Sequence, residues 1–250
     1  MIALKGRVES YLKEKIDEEG TIHLTLLDPE KVDKTLAIKI SKSVEKAGSK
    51  AIMIGGSTVS SIYHLDEIVK GIKDSKIQIP IILFPNDLTG ISKFADAIFF
   101  MSLLNSYNPY YIIRAQALAS PLIKKYGLEP LPLGYIIVGG ESAAAYIGQA
   151  HQIPLEKPEL AAIYALAAQY LGMRFVYLEA GSGAKKPVPT LMVKKVKESI
   201  DIPLIVGGGI RSPRIAKSIA ESGANIIVTG TAVETTSIEN IKRIVQAIKK

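Results

Sequence analysis

The chain has 250 residues, 48% hydrophobic and 22% charged, which fits a single α/β barrel domain over residues 1–250. The absence of cysteine excludes disulfides, thiolate metal sites and cysteine nucleophiles, and the lack of a long apolar run or a signal-like N-terminus predicts a cytoplasmic location. The net charge of +7 is spread over helix-like segments without an aromatic-rich basic stripe, so we expect solvated helix faces and no nucleic-acid partner.

Short apolar runs alternate with helical patterns along the chain. Most of the runs are continuously apolar, as expected for strands covered on both faces, and they occupy residues 21–27, 51–54, 79–84, 97–101, 132–138, 174–178, 203–206 and 225–229. Helical patterns occupy residues 7–18, 33–47, 60–73, 109–126, 158–171, 190–199, 213–222 and 238–249. This order predicts a modified TIM (β/α)₈ barrel with an extra N-terminal helix, and a doubly wound open sheet is the alternative.

One unit of this pattern is too short for a complete crossover. Only about ten residues, from Asn86 to Asp96, separate the third and fourth strands, whereas a crossover helix with its loops needs a dozen or more. We therefore expect the third outer helix to be missing or reduced to a turn. Its absence would leave an apolar groove on the side of the barrel.

Two of the helical segments are apolar around most of their circumference. They are NPYYIIRAQALASPLIKKYG, residues 108–127, and PELAAIYALAAQYLG, residues 158–172. Ordinary packing on the outside of the barrel is one interpretation. Contact between subunits is the favoured one, because large apolar faces seldom stay exposed.

Three glycine-rich loops follow the last three strands, with the sequences AGSGAKKP, VGGGIRSP and VTGTAVET. In a barrel the carboxyl ends of the strands meet at one face, where active sites lie and where phosphate is commonly bound after the last two strands. Glycines let backbone N–H groups approach an anion closely, and Ser212-Pro213 is good chemistry for a helix start. Each loop alone could be a plain turn, but their convergence favours a phosphate site. Arg211 either adds charge to it or is a surface residue.

A second anion site is predicted over the first two strands. Asp28 ends the first strand, and Ser57 follows the second in the GGST segment. One carboxylate and one hydroxyl make a poor all-protein metal cage, but they suit Mg²⁺, which keeps water ligands and takes phosphate oxygens from a substrate. The alternative for Asp28 is an N-cap of the helix that starts near Val32.

Glu179 ends the sixth strand directly before the first glycine-rich loop. It can accept a hydrogen bond from a substrate hydroxyl or take the proton of that hydroxyl. Tyr177, two residues earlier, lies on the same face of the strand and could hold a second hydroxyl. The alternative is that Tyr177 is a core residue and Glu179 forms a loop ion pair.

Together, the motifs HLTLLDPEK, MIGGST, FPN, MSLLNS, YLEAGSGA, VGGGIRSP and TGT resemble the geranylgeranylglyceryl phosphate synthase family over essentially the whole chain. The resemblance implies a barrel that lacks the third outer helix. It also implies a prenyltransferase of archaeal ether-lipid biosynthesis, which uses Mg²⁺ and joins sn-glycerol 1-phosphate to geranylgeranyl diphosphate. A related enzyme with another prenyl chain length, a sugar-phosphate isomerase and a non-catalytic phosphate-binding barrel are the alternatives. The isomerases usually rely on paired acids at strand ends one and five, and here Glu141 is the only acid near the fifth.

The resemblance assigns roles to residues that match its motifs. Asp28 and Ser57 would bind Mg²⁺ with the diphosphate, and Glu179 would be catalytic. The residues that would bind sn-glycerol 1-phosphate are Tyr177, Leu178, Glu179, Ala180, Gly181, Ser182, Gly183, Gly208, Gly209, Gly230 and Thr231. Leu26 stands where some members have a lysine, so another base must neutralise the diphosphate, and Lys31 is a candidate. The first motif is similar to the branch with larger oligomers, so we expect a dimer or hexamer, with peripheral membrane contact as a further expectation.

Overall fold

The computed structural model describes residues 6–56, 61–140, 142–230 and 238–249. Within these ranges, eight parallel strands pair in chain order and form a closed barrel, since the first strand also pairs with the last. The strands are β1 (Ile22–Leu27), β2 (Ala51–Ile54), β3 (Ile81–Leu83), β4 (Ala97–Leu103), β5 (Glu129–Ile137), β6 (Phe175–Glu179), β7 (Leu204–Gly207) and β8 (Ile226–Thr229). The predicted barrel is confirmed, and the open-sheet alternative is wrong.

The helices surround this barrel. They are α1 (Arg7–Glu19), α2 (Lys34–Ala47), α3 (Ile62–Asp74), α4 (Ala115–Tyr126), α5 (Ala143–Ile147), α6 (Pro158–Tyr170), α7 (Thr190–Lys197), α8 (Pro213–Glu221) and α9 (Ile238–Ile248). A π-helical turn, Tyr110–Arg114, precedes α4. The short α5, capped by the Ser142 side chain, was not predicted. None of the helices in the described ranges is long and apolar enough to cross a membrane.

The segment between β3 and β4 contains one 3₁₀ turn, Leu88–Gly90, where a regular barrel would have an outer helix. The prediction of a missing or reduced third outer helix is therefore confirmed. The Asp87 side chain caps the turn by accepting a hydrogen bond from the backbone N–H of Leu88. The same carboxylate oxygen, Oδ1, accepts a hydrogen bond from the Tyr110 hydroxyl at 2.5 Å, which ties this segment to the π-helical turn.

The inside of the barrel is a packed core that α1 closes at its amino-terminal end. Leu12 and Ile16 of α1 belong to the same buried cluster as the inward-facing strand residues. The buried Glu129, at the start of β5, accepts hydrogen bonds from the backbone N–H groups of Val8 and Glu9. These N–H groups have no partner within the helix, so Glu129 satisfies them and places a negative charge at the positive end of α1.

A buried polar network lies on the outward side of β1. His23 makes hydrogen bonds with Ser49 at 2.6 Å and Thr229 at 2.8 Å, and Thr25 makes one with Ser49 at 2.8 Å. Burial lowers the pKa of His23 from 6.5 to about 3, because no solvent is present to stabilise the imidazolium. The network therefore requires a neutral histidine, and it anchors the carboxyl end of β8 through Thr229.

His23 should make stability depend on pH. The unfolded chain takes up a proton near pH 6.5, whereas folded His23 stays neutral to about pH 3. The free energy of unfolding should therefore fall as the pH drops from 6.5 towards 3, by about 2 kcal/mol between pH 7 and pH 5. Chemical denaturation of the wild type and of His23→Gln at both pH values measures this effect. Equal pH dependence in the two proteins would contradict the role of His23.

Candidate active site

A small cavity of about 60 Å³ lies where the loops after β6, β7 and β8 meet at the barrel mouth. It brings together most of the residues predicted to hold a phosphorylated substrate, namely Tyr177, Glu179, Ser182, Gly183, Gly208, Gly209 and Gly230. Leu26, Val228, Thr229, Ile210 and Arg211 complete its lining and were not predicted for it, except that Arg211 was left open. Thr231 lies outside the described residues. The described parts of the three glycine-rich segments do converge, as their positions after consecutive strands required, with Gly230 as the last described residue of the third.

Three predicted residues do not line this cavity. The side chains of Leu178 and Ala180 are buried in the apolar cluster between the barrel and its outer helices, because successive residues of a strand face opposite sides. Gly181 has no side chain, and its backbone N–H donates a hydrogen bond to Glu179 Oε1 at 2.6 Å. Any contribution of these residues to substrate binding must therefore come from their backbone.

The glycines at the end of β7 are required by close packing. A Cβ on Gly207 would lie 2.1 Å from the Tyr177 hydroxyl oxygen, and one on Gly208 would lie 2.5 Å from Glu179 Oε1. Gly208 also has a φ of 85°, which residues with a Cβ rarely adopt. The glycine sequence thus makes room for the two polar side chains of β6.

Arg211 joins the loop after β7 to the loop after β6. Its Nη2 atom donates hydrogen bonds to the carbonyl oxygens of Gly183 at 2.8 Å and Ala184 at 3.1 Å. The guanidinium charge therefore lies beside the small cavity, although its hydrogen bonds here are structural. The Ser212 side chain accepts a hydrogen bond from the Ile215 N–H and caps α8, as the Ser-Pro pair predicted.

Glu179 is a buried carboxylate held by two hydrogen bonds. Its side chain accepts from the Gly181 N–H and from the Tyr177 hydroxyl, and the residue is only 7% exposed. Burial raises the pKa of Glu179 above 4.5, and the two hydrogen bonds partly oppose this shift. Burial and the Glu179 charge raise the pKa of Tyr177 well above 10, so its hydroxyl remains a donor. Glu179 lies in β6 and forms no ion pair with another described residue, which disfavours the alternative of a loop ion pair. Tyr177 is both a core residue and part of the cavity wall.

A larger cavity of about 400 Å³ begins beside Glu179 and extends along the side of the barrel. Its mouth is lined by Asp28, Lys31 and Gly56, and its far part is apolar, with Ile91, Ile98, Phe100, Ala119 and Ile123 in its walls. This part lies against the segment that replaces the third outer helix and against α4. The predicted side groove is therefore present, and it opens into the barrel mouth.

The two cavities meet at the buried carboxylate. Leu26, Glu179, Ser182 and Gly230 line both of them. Phe84, from the FPN segment, stacks on Tyr177 with ring centroids 5.5 Å apart, and Tyr135 packs against both rings. Phe84 and Tyr135 were not predicted as site residues. The inward face of β5, deduced from strand alternation, is the signal that could have identified Tyr135.

Asp28 lies at the mouth of the larger cavity. Its Oδ1 accepts a hydrogen bond from the Glu30 N–H at 3.1 Å, so Asp28 caps the 3₁₀ turn Pro29–Lys31. Asp28 is therefore an N-cap, as the alternative interpretation held, but it caps this turn and not the following helix, because Asp33 caps α2. The Lys31 ammonium nitrogen is 3.5 Å from Asp28 Oδ2. Ser57 lies outside the described residues.

The charges around the larger cavity fit a bound cation. Among the described residues, three carboxylates line it, those of Asp28, Asp87 and Glu179. Within the described part of the chain, no group of three or more acidic, histidine or cysteine side chains could hold a metal ion unaided. A hard ion such as Mg²⁺ that binds Asp28 would therefore need oxygen ligands from water and from a substrate.

Comparison with known proteins gives consistent matches over nearly the whole chain. The model of the PcrB family matches residues 12–248. The geranylgeranylglyceryl phosphate synthase of Thermofilum pendens is 52% identical over 99% of this chain and 97% of its own length. The one from Pyrococcus abyssi is 52% identical over 98% and 97%.

Solved structures agree with these matches. The (S)-3-O-geranylgeranylglyceryl phosphate synthase from Thermoplasma acidophilum, solved in complex with sn-glycerol-1-phosphate, has a TM-score of 0.91 and 40% identity, covering 95% of this chain and 98% of its own. A thiamine phosphate pyrophosphorylase from Pyrococcus furiosus, at 14% identity and a TM-score of 0.58, shares the fold alone. The chain therefore belongs to the PcrB family, among the geranylgeranylglyceryl phosphate synthases.

Proposed function

We propose that the protein transfers the geranylgeranyl group of geranylgeranyl diphosphate to the 3-hydroxyl of sn-glycerol 1-phosphate. The observation that carries this proposal is the junction of two unlike cavities at one buried carboxylate. The small glycine-lined cavity suits a phosphorylated polyol, and the long apolar cavity suits a prenyl chain. An isomerase of a small sugar phosphate would have no use for the second cavity.

The acceptor is proposed to bind in the small cavity. Backbone N–H groups of the glycine-rich loops hold its phosphate, and the Arg211 charge adds attraction. Gly208, Gly209 and Gly230 line this end of the site, and Thr231, which lies outside the described residues, is proposed to bind the acceptor with them. The glycerol hydroxyls then point towards Glu179 and Tyr177, with Ser182 and Gly183 alongside.

The prenyl chain is proposed to lie in the larger cavity, with its reactive end beside Glu179 and its diphosphate at the mouth near Asp28. Asp28 and Ser57 would hold Mg²⁺ there, and the ion would stabilise negative charge on the departing diphosphate. Apolar walls keep water away from the allylic carbon while it carries positive charge.

The proposed reaction forms one bond and breaks one. The bond between the allylic carbon and the diphosphate oxygen breaks, and the electron pair leaves with the diphosphate. The 3-hydroxyl oxygen of the glycerol forms the new ether bond to that carbon, and Glu179 accepts the hydroxyl proton. The Glu179 charge also stabilises the positive carbon before the bond forms, and Tyr177 orients the carboxylate.

We further propose a single-domain protein of residues 1–250 that acts in the cytoplasm and assembles into a dimer or hexamer. Large apolar side chains are exposed on and around α4 and α6, which supports self-association; they are Ile113, Leu118, Leu160, Ile163, Tyr170 and Leu171. Peripheral membrane contact is proposed because the donor substrate and the product carry a long apolar chain.

An assay with both substrates tests the proposed function. Incubation with Mg²⁺, sn-glycerol 1-phosphate and prenyl diphosphates of several lengths should give an ether product, most rapidly from geranylgeranyl diphosphate. EDTA should abolish the product. No ether product from any donor would overturn the function, and full activity in EDTA would overturn the metal requirement.

Glu179→Gln should lower the turnover rate by roughly 10²–10⁴, because glutamine keeps the size of glutamate but cannot accept the proton. The affinity for sn-glycerol 1-phosphate should change little. Rates at saturating and at limiting sn-glycerol 1-phosphate separate the two effects. Glu198→Gln, on an exposed carboxylate, is the matched control.

The pH profile of the wild type gives a second measurement of Glu179. Turnover should be lost as the pH falls through the Glu179 pKa, and the acid limb should lie above pH 4.5 because burial raises that pKa.

Wild-type turnover in Glu179→Gln would exclude Glu179 as the base. Normal turnover with weakened sn-glycerol 1-phosphate binding would show that it only orients a hydroxyl.

Gly209→Ala should weaken sn-glycerol 1-phosphate and leave the KM of the prenyl donor unchanged, since Gly209 lines the small cavity only. The added Cβ would lie 2.9 Å from the Lys186 carbonyl oxygen, and the φ of 70° adds strain. Gly172→Ala has a similar φ of 83° with nothing within 4 Å of its Cβ, so it controls for strain alone. Equal weakening of both substrates in a folded Gly209→Ala protein would contradict a phosphate site confined to this cavity.

A further inference from the structure

The larger cavity has an unfavourable charge balance for an anionic substrate. Among the described residues that line it, Asp28, Asp87 and Glu179 are acidic and Lys31 alone is basic. The donor assigned above carries its negative charge on a diphosphate, which repels each of these carboxylates. One divalent ion offsets only part of that repulsion. The positive charge of Lys31 at the cavity mouth is therefore needed to help bind the diphosphate. This inference rests on the proposed function.

The position of Lys31 is fixed by its local structure. It ends the 3₁₀ turn Pro29–Lys31, which begins directly after Asp28 and is capped by the Asp28 side chain. His64 of α3 makes a hydrogen bond to the Pro29 carbonyl oxygen at 2.9 Å, which fastens the turn to the neighbouring helix. The backbone that carries Lys31 is thus held from two sides.

The contact between Lys31 and Asp28 is suited to exchange. The Lys31 nitrogen lies 3.5 Å from Asp28 Oδ2, so the two form an ion pair that is longer than a usual hydrogen bond. The Lys31 side chain is 47% exposed and that of Asp28 is 19% exposed, so Lys31 is the more exposed member of the pair. The Lys31 ammonium group can turn from Asp28 Oδ2 to diphosphate oxygens without breaking a short hydrogen bond between the two side chains. The exchange also leaves Asp28 available for a metal ion.

We propose that Lys31 binds the diphosphate of the prenyl donor, donating hydrogen bonds from its ammonium group to the diphosphate oxygens. Lys31 acts as a positive charge and forms no covalent bond. Its charge assists departure of the diphosphate, because negative charge on the leaving group increases as the carbon–oxygen bond breaks. The acceptor cavity does not include Lys31. Lys31 therefore acts on the donor alone.

Calorimetric titration with inorganic diphosphate in saturating Mg²⁺ tests this role apart from catalysis. Lys31→Met keeps the apolar stem and removes the charge, and its Kd for diphosphate should rise about 10- to 100-fold, as expected for loss of hydrogen bonds to a charged group. Lys31→Arg keeps the charge and should recover most of the affinity. Lys34→Met, which removes an equal charge from an exposed residue at the start of α2 outside both cavities, should bind diphosphate within about threefold of the wild type.

Kinetics should agree with the titration. The KM for the prenyl donor should rise in Lys31→Met, and the KM for sn-glycerol 1-phosphate should stay unchanged. Unaltered diphosphate affinity in a Lys31→Met protein with a wild-type thermal midpoint would overturn the proposal, as would an equal loss in Lys34→Met. Wild-type protein that binds no diphosphate in Mg²⁺ would instead overturn the proposed function, so the two failures are distinguishable.

Discussion

The site depends on a buried carboxylate that has no cationic partner among the described residues. Glu179 is stabilised by the Gly181 N–H and the Tyr177 hydroxyl, which are neutral donors. Neutral donors do not compensate its negative charge, and the roles proposed for Glu179, attracting a positive carbon and taking a proton, both need that charge. This arrangement needs Gly207 and Gly208 on the neighbouring strand, because a Cβ at either position would collide with Tyr177 or Glu179. The constraint therefore extends from one side chain to the sequence of the next strand.

The missing outer helix matters as much for the proposed prenyl donor as the buried carboxylate does for the proposed acceptor. A complete helix between β3 and β4 would cover the side of the barrel, whereas the 3₁₀ turn Leu88–Gly90 leaves it open to the larger cavity. The loss would expose core residues if nothing else closed the gap. The hydrogen bond between Asp87 and Tyr110 supplies part of the closure by joining the short segment to the turn before α4. The barrel thus lacks helix packing between β3 and β4, and the space left there can hold a long apolar chain.

The sequence predicted the barrel well because strands buried on both faces are continuous apolar runs. The sequence predicted element boundaries and short elements less reliably, because single residues such as proline obscure the pattern there. β5 begins at Glu129, before the predicted 132, since Pro130 and Pro132 hide the strand's start, and α5 is too short to show a helical period. Motif positions located Glu179 and the glycine-rich loops, but a motif cannot tell which side a strand residue faces, so Leu178 was included although its side chain is buried outside the barrel. Contacts between distant segments, such as Tyr135 against Phe84, need the three-dimensional structure.

The junction of the cavities also explains why two substrates are needed to complete the site. Glu179 is shielded by protein on most sides, but both cavities open onto it, so water can approach it from either side when they are empty. A bound acceptor would close the small cavity, and a bound prenyl chain would close the larger one. Only with both in place is the carboxylate surrounded by reacting groups and apolar walls. In the proposed arrangement, a positive allylic carbon formed at that moment would have the glycerol hydroxyl as its nearest nucleophile, which would favour ether formation over hydrolysis.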